Sequence, residues 1–225
     1  MRISAVVLDM DGLMLDTEPI YKAAWQQASL ELGFDLDDLT YATFVGRPTE
    51  DCEAKLLARF GAGFPMAQFR SRWPALWRAV VQERGIPHKS GLLELLRFLD
   101  AQRIPMAIAT SSDADYTEFS LRSAGLAGRF HVIVTRDQVA HGKPAPDTYI
   151  EAARRLGQDA ADCMALEDSD TGVLAACAAG MAAVCVPDLK PPSDAVARGA
   201  FRVLGSLSDA RALIEAMLAR PGAAG

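Results

Sequence analysis

Ala5-Val6-Val7-Leu8-Asp9-Met10-Asp11-Gly12 decides the fold of this chain. The apolar run is short and Val-rich, with no helix cap ahead of it, which reads as a buried parallel strand. The strand stops at two acids. In open α/β sheets ligands gather outside the carboxyl ends of the strands, so Asp9 and Asp11 face the expected site. Alternate residues of an extended segment point to one side, which lets both carboxylates work on one centre. Like charges so close are costly unless a cation or a shared proton relieves them. Gly12 lets the chain turn away. An Asx-rich turn closing a strand would use the same residue types, so the rest of the chain has to decide.

After Asp11 the pattern changes. Thr17-Glu18-Pro19 reads as a helix start, with Thr17 or Asp16 as N-cap and Pro19 tolerated in the first turn. Ile20, Ala24, Ala28 and Leu32 recur at helical spacing up to Gly33. Asp51 to Phe60 and Met66 to Arg84 are helical as well, Trp73 and Trp77 lying one turn apart. No strand is expected between Leu15 and Gly85, so this segment is an all-helical insert.

Beyond Gly85, β/α alternation returns. Strands are expected at Met106 to Ala109, His131 to Val134, Cys163 to Leu166, Ala182 to Val186 and near Phe201 to Leu204. Helices are expected at Leu92 to Gln102, Tyr116 to Ala124, Tyr149 to Leu156, Thr171 to Ala179 and the C-terminus. Such alternation gives an α/β, Rossmann-like doubly wound parallel sheet with helices on both faces. Residues 1–15 and 86–225 form this core, and residues 16–85 form an inserted all-helical cap domain. Paired connections near Leu15-Asp16-Thr17 and Gly85-Ile86-Pro87 make a natural hinge, so the cap is expected to open and close over the strand ends.

Bulk properties narrow the function. The chain has 225 residues, 50% of them hydrophobic, enough for a substantial core. A net charge of −6 with both signs interspersed argues against binding nucleic acid through phosphate attraction. Met1 runs straight into a strand, and no apolar stretch reaches spanning length without interruption. A soluble, cytoplasmic protein with no membrane partner is expected, and nothing demands an oligomer, so a monomer is too. Cys52, Cys163, Cys177 and Cys185 show neither CxxC nor metal-ligand spacing and are expected to be buried free thiols. His88, His131 and His141 have no partner pattern and are assigned to loops or packing. There is no GxxxxGK[ST] phosphate loop, which disfavours an ATPase or kinase of that type.

Several strand ends carry complementary chemistry. Thr110-Ser111-Ser112 offers hydroxyls and backbone N–H groups leading into a helix, an arrangement that favours phosphate. Gly142-Lys143-Pro144-Ala145-Pro146-Asp147 stiffens a loop around one lysine, which can hold a phosphate dianion and orient an attacking acid. Glu167-Asp168-Ser169 supplies further carboxylate. Each piece alone has a plain alternative: an ordinary N-cap, a solvated surface lysine, a first-turn pair on a helix dipole. Together, at successive strand ends, they form a phosphate-and-magnesium pattern.

In this order, DMDGLMLDTEP, ATSS, GKPAPD and LEDSDTG resemble the motifs of the haloacid dehalogenase superfamily. The helical insert is similar to the small cap of the subgroup that includes β-phosphoglucomutase and many sugar-phosphate phosphatases. The resemblance covers essentially the whole chain. It implies Asp9 as nucleophile, forming an aspartyl-phosphate, and Asp11 as general acid and then base. It further implies Mg²⁺ on Asp9, the main-chain carbonyl of Asp11 and Asp168, supported by Glu167 through water. Thr110, with Ser111, would bind the phosphoryl group, and Lys143 would neutralise it and Asp9. Ser169 is expected to cap the following helix. Asp11 separates this pattern from the dehalogenases themselves, which lack that acid/base. The function implied is Mg-dependent hydrolysis of a small phosphorylated metabolite.

Two alternatives stand beside it. A phosphosugar mutase of the β-phosphoglucomutase type carries a histidine on the first cap helix, where this chain has Tyr21. A catalytically idle phosphate sensor on the same fold is the other; the presence of Asp9, Asp11, Lys143 and Asp168 weighs against it. Gly46-Arg47 resembles the family's substrate loop, so Arg47 is a candidate for a distal anionic group, or else a solvated arginine in a turn. Tyr21, Trp25, Trp73 and Trp77 are weighed as substrate contacts against cap core, and the core reading is preferred.

Overall fold

The computed structural model describes residues 3–45 and 49–219. In chain order its elements are β1 (Ala5–Leu8), α1 (Glu18–Glu31), α2 (Asp38–Ala42), α3 (Thr49–Phe60), α4 (Met66–Arg84), α5 (Leu92–Ala101), β2 (Met106–Ala109) and α6 (Ala114–Ser123). There follow β3 (Val132–Val134), α7 (Asp147–Leu156), β4 (Cys163–Glu167), α8 (Asp170–Ala178), β5 (Ala182–Cys185), α9 (Asp194–Gly199), β6 (Arg202–Val203) and α10 (Leu207–Leu218).

All strand pairs are parallel, in the order β3-β2-β1-β4-β5-β6. The first strand of the chain is thus central, flanked by β2 and β4. Its register decides the site: Leu8 pairs with both Ile108 and Leu166, so the next residues, Asp9, Ala109 and Glu167, come level. Burial explains why β1 has no polar residue. Val7, Ala107, Ala165 and Ala183 pack on one face with Tyr149, Ala152 and Ala153 of α7 and Val173, Ala175 and Ala176 of α8. Val6, Leu8, Ile108, Met164, Leu166 and Val184, which point the other way, are completely buried too. A sheet covered on both faces reads as continuous apolar runs rather than alternation. This is the doubly wound α/β arrangement expected from the sequence.

Local expectations mostly held, with instructive exceptions. Ser169 does cap α8, its hydroxyl accepting from Gly172 N–H at 3.2 Å. Thr17 precedes α1 but its side chain makes no capping bond, because its backbone is already near-helical (φ −85°, ψ −23°) instead of extended. The helix after β2 begins at Ala114, before Tyr116, because Asp113 caps it by accepting from Tyr116 N–H at 2.8 Å. Cys177 is exposed, contrary to expectation, while Cys52, Cys163 and Cys185 are buried free thiols. Along α8 the small residues leave little contrast between faces, so burial at position 177 was not readable from the pattern.

The chain divides into two compact units, one comprising the segment through Leu15 with that from Pro87 onward, the other Asp16–Ile86. Among the described residues the second unit contains only helices, with α1 packed on α4. Its interior is aromatic: Trp25 meets Phe69 edge-on at 5.1 Å and Trp73 at 5.9 Å. Tyr21 stacks on Trp77 at 5.6 Å. Trp25 and Trp77 are buried, whereas Tyr21 and Trp73 are half-buried.

Candidate active site

β1 delivers Asp9 to the centre of the sheet edge, 7% exposed. Lys143 comes from the loop before α7, its side chain 2% exposed. Its ammonium donates to Asp9 Oδ1 (2.5 Å), Glu167 Oε1 (2.5 Å) and the Ala109 carbonyl (2.9 Å). An ammonium has three donors, so the residues that β1, β2 and β4 bring level are tied together by one cation.

Glu167 is fully buried and correspondingly well satisfied. Besides Lys143, Oε1 accepts from the Tyr149 hydroxyl at 2.6 Å. Oε2 accepts from Asp168 N–H, Ser169 N–H and the Ser169 hydroxyl at 3.1, 3.3 and 3.1 Å. The Lys143 ammonium also lies 5.0 Å from the centroid of the Tyr149 ring. A buried charge needs such compensation.

Asp168 enters beside Gly12. An ideal Cβ on Gly12 would lie 2.3 Å from Asp168 Oδ2, and the backbone there is left-handed (φ +85°). Both facts require glycine at the turn after the acids.

Asp9, Glu167 and Asp168 each offer an oxygen within 4.8 Å of the others. Burial pushes the Asp9 carboxyl up to about 8, Lys143 opposing the shift and Glu167 adding to it. Burial likewise holds the Asp168 carboxyl well above its ordinary range, reinforced by Asp9 and Glu167. Burial disfavours the Lys143 ammonium, but Asp9 and Glu167 outweigh it and keep its pKa above that of an ordinary lysine. One ammonium does not offset this many carboxylates. The all-oxygen donor set and its uncompensated charge fit a hard divalent cation.

Asp11 lies outside this cluster of side chains. Its Oδ2 accepts from the Ser112 hydroxyl at 2.9 Å and its Oδ1 from the Tyr116 hydroxyl at 2.8 Å. Thr110, 1% exposed, stands at the end of β2, its hydroxyl oxygen accepting from Ser112 N–H at 3.1 Å. Ser111 beside it is exposed. Asp9, Lys143, Glu167 and Asp168 are therefore brought into one cluster, with Thr110 and Asp11 on the flanking turns. Gly46 and Arg47 lie outside the described residues. Of the histidines, the His88 ring Nε2 is 2.7 Å from the Ala124 carbonyl, and His141 Nδ1 is 3.1 Å from Asp147 Oδ1.

Tyr116, Tyr149 and Gly172 had not been singled out from the sequence. Tyr149 offered a faint signal, a polar-tipped ring among the buried residues of α7, which also include Thr148, Ala152 and Ala153. Tyr116 offered none beyond its helical position.

A family model described as haloacid dehalogenase-like hydrolase matches residues 3–180. The chain belongs to that family. It is 34% identical over 186 residues to fructose-1-phosphate phosphatase YqaB of Escherichia coli, covering 82% of this chain and 97% of that protein. A putative beta-phosphoglucomutase from Thermotoga maritima superposes with a TM-score of 0.83 at 27% identity, over 95% of this chain and 99% of the other. A HAD family hydrolase from Deinococcus radiodurans, solved with bound phosphate and sodium, superposes with a TM-score of 0.79 at 32% identity, over 98% and 99%. Like the relatives named as phosphatases, this haloacid dehalogenase-like protein is a phosphoric monoester hydrolase.

Proposed function

We propose that this hydrolase cleaves a small phosphomonoester, a sugar phosphate or a similar metabolite, through an aspartyl-phosphate on Asp9. The observation that carries the reading is the Asp9–Lys143 ion pair at the end of the central strand, with Asp11 two residues further on and turned to separate partners.

In the first step an Asp9 carboxylate oxygen attacks phosphorus. The bond from phosphorus to the substrate oxygen breaks, and protonated Asp11 gives its proton to the leaving alkoxide. In the second, Asp11 takes a proton from water, the water oxygen attacks phosphorus, and the Asp9–phosphorus bond breaks to release phosphate. Lys143 holds Asp9 in place and offsets charge on the phosphoryl oxygens. The Thr110 hydroxyl and the Ser111 turn bind the transferring group. Asp9, Asp168 and the main-chain carbonyl of Asp11 would hold Mg²⁺, with Glu167 in support through water. Bound there, the ion would supply charge neutralisation and Lewis-acid polarisation of the phosphoryl oxygens.

Selection among phosphomonoesters is assigned to residues 16–85, Arg47 being the candidate for an anionic group remote from the reaction. The aromatic packing of Tyr21, in the place of the mutase histidine, supports hydrolysis over isomerisation.

The test is phosphate release, with Mg²⁺ and with EDTA, across phosphomonoesters that include fructose 1-phosphate and β-glucose 1-phosphate. Metal-dependent release of phosphate is expected. Formation of glucose 6-phosphate without free phosphate would replace hydrolase with mutase, and inactivity on every substrate would favour a phosphate sensor.

A further inference from the structure

We infer that Tyr116 is a positioning residue for Asp11, holding the acid/base carboxylate in its working orientation before substrate arrives. The inference rests on the acid/base reading of Asp11 given above.

The geometry is specific. Asp11 follows the central strand on a tight turn in which Met14 and Leu15 N–H both donate to the Met10 carbonyl at 3.0 Å. That turn sets the backbone, but an aspartate side chain still has two torsions to fix. Each carboxylate oxygen meets a different hydroxyl: Oδ2 that of Ser112 and Oδ1 that of Tyr116, at 2.9 and 2.8 Å. Rotation about either torsion breaks at least one of these bonds. Because a hydroxyl both donates and accepts, the contacts persist whether Asp11 carries its proton or not.

Tyr116 is itself held. It sits in the first turn of α6, its N–H bonded to the Asp113 carboxylate at 2.8 Å. Its ring reaches Asp11 with only two side-chain torsions. A stiff aromatic arm on a capped helix places its hydroxyl more reproducibly than a long aliphatic chain would. Ser112 is held in turn, its N–H on the Thr110 hydroxyl and its carbonyl accepting from Arg136 N–H at 2.9 Å. Two separately anchored hydroxyls therefore converge on one carboxylate, the arrangement that preorganises a proton-transfer group.

The readout is how the defect depends on the leaving group. A poor leaving group, such as a sugar alcohol, needs protonation in the transition state, whereas an aryl oxide barely does. Steady-state rates of Tyr116→Phe, Asp11→Asn and the double variant are to be compared on an alkyl sugar phosphate and on an aryl phosphate, with Mg²⁺ present. Tyr116→Phe is expected to lower kcat on the alkyl ester roughly tenfold with KM changed less than about twofold, the loss typical of a misplaced acid. On the aryl ester the loss should stay within about twofold. Added to Asp11→Asn, it should cost little further on the alkyl ester, because the proton-transfer group that it positions is gone. Equal loss on both esters would overturn the inference. So would a loss that persists undiminished on top of Asp11→Asn, or a silent Tyr116→Phe beside an impaired Asp11→Asn. Full activity of Asp11→Asn on the alkyl ester would overturn the acid/base reading itself and the inference with it.

Discussion

An ideal Cβ on Gly172 would lie 1.8 Å from Oε1 of Glu167. The first turn of α8 passes so close to this buried carboxylate that only a glycine leaves it room. The small residue is therefore a requirement of the ion-pair cluster, since Glu167 is what Lys143 leans on opposite Asp9.

Gly172→Ala should accordingly displace Glu167 or α8. Overpacking of this kind costs roughly 1–3 kcal/mol, a fall in Tm of about 2–12 °C for a chain of this size. Turnover should fall as well, because Lys143 loses an anchor. Thermal unfolding and phosphate release measure the two effects separately.

Asp9→Asn should lose at least about three orders of magnitude in turnover, because an amide cannot form the acyl phosphate. The fold should survive, since the amide fills the same space. Near-normal activity in a folded variant would remove Asp9 as nucleophile.

Tyr149→Phe removes one hydroxyl from the Glu167 carboxylate, 2.6 Å away in a fully buried site. A hydrogen bond to a charged group contributes about 1.5–3 kcal/mol, so a drop in Tm of about 3–12 °C is expected. The ring remains against Lys143, so activity should fall much less than in Asp9→Asn. Denaturation and steady-state kinetics check both.

Metal removal should give a pH signature. The Asp9 carboxyl is raised from 3.8 to about 8, so between those values the folded, metal-free protein binds more protons than the unfolded chain. Stability from this group is fully present below pH 3.8 and is lost as pH rises through about 8. In EDTA the Tm should thus decline toward alkaline pH beyond the contribution of other groups, and less so in Asp9→Asn. Mg²⁺ at a hundred times its pH 8 Kd should add about 2.7 kcal/mol at pH 8, and the same concentration should add less at pH 6 because protons compete for the carboxylates. A Tm in EDTA that does not fall, or no difference in slope from Asp9→Asn, would show that the charge cluster is relieved in another way.

Much of this was legible along the chain. Residues 5–8 declare a strand buried on both faces, because only such a strand can be continuously apolar and so short. The acids after it and the hydroxyls after Ala109 are recognisable because each lies next to a strand end that the apolar run marks, and Lys143 because the prolines that follow it stiffen its loop. Helix ends were less legible where competing caps lie close together, as with Asp113 ahead of Tyr116. Cys177 was misplaced because its Ala-rich helix has little contrast between its faces.

By itself the sequence determined the alternation of strands and helices, the helical insert and the kinds of chemical group at each strand end, since run length, periodicity and neighbouring turn residues are local properties. Only the tertiary structure decided which groups meet. Parallel pairing put β1 between β2 and β4 and levelled Asp9 with Glu167, so that one lysine could bind both. Asp11 found its partners 101 and 105 residues away, in Ser112 and Tyr116. Such contacts depend on sheet order, register and the angle at which a capped helix leaves its strand. No local pattern carries that information, because the distances involved are set by the packing of the whole sheet.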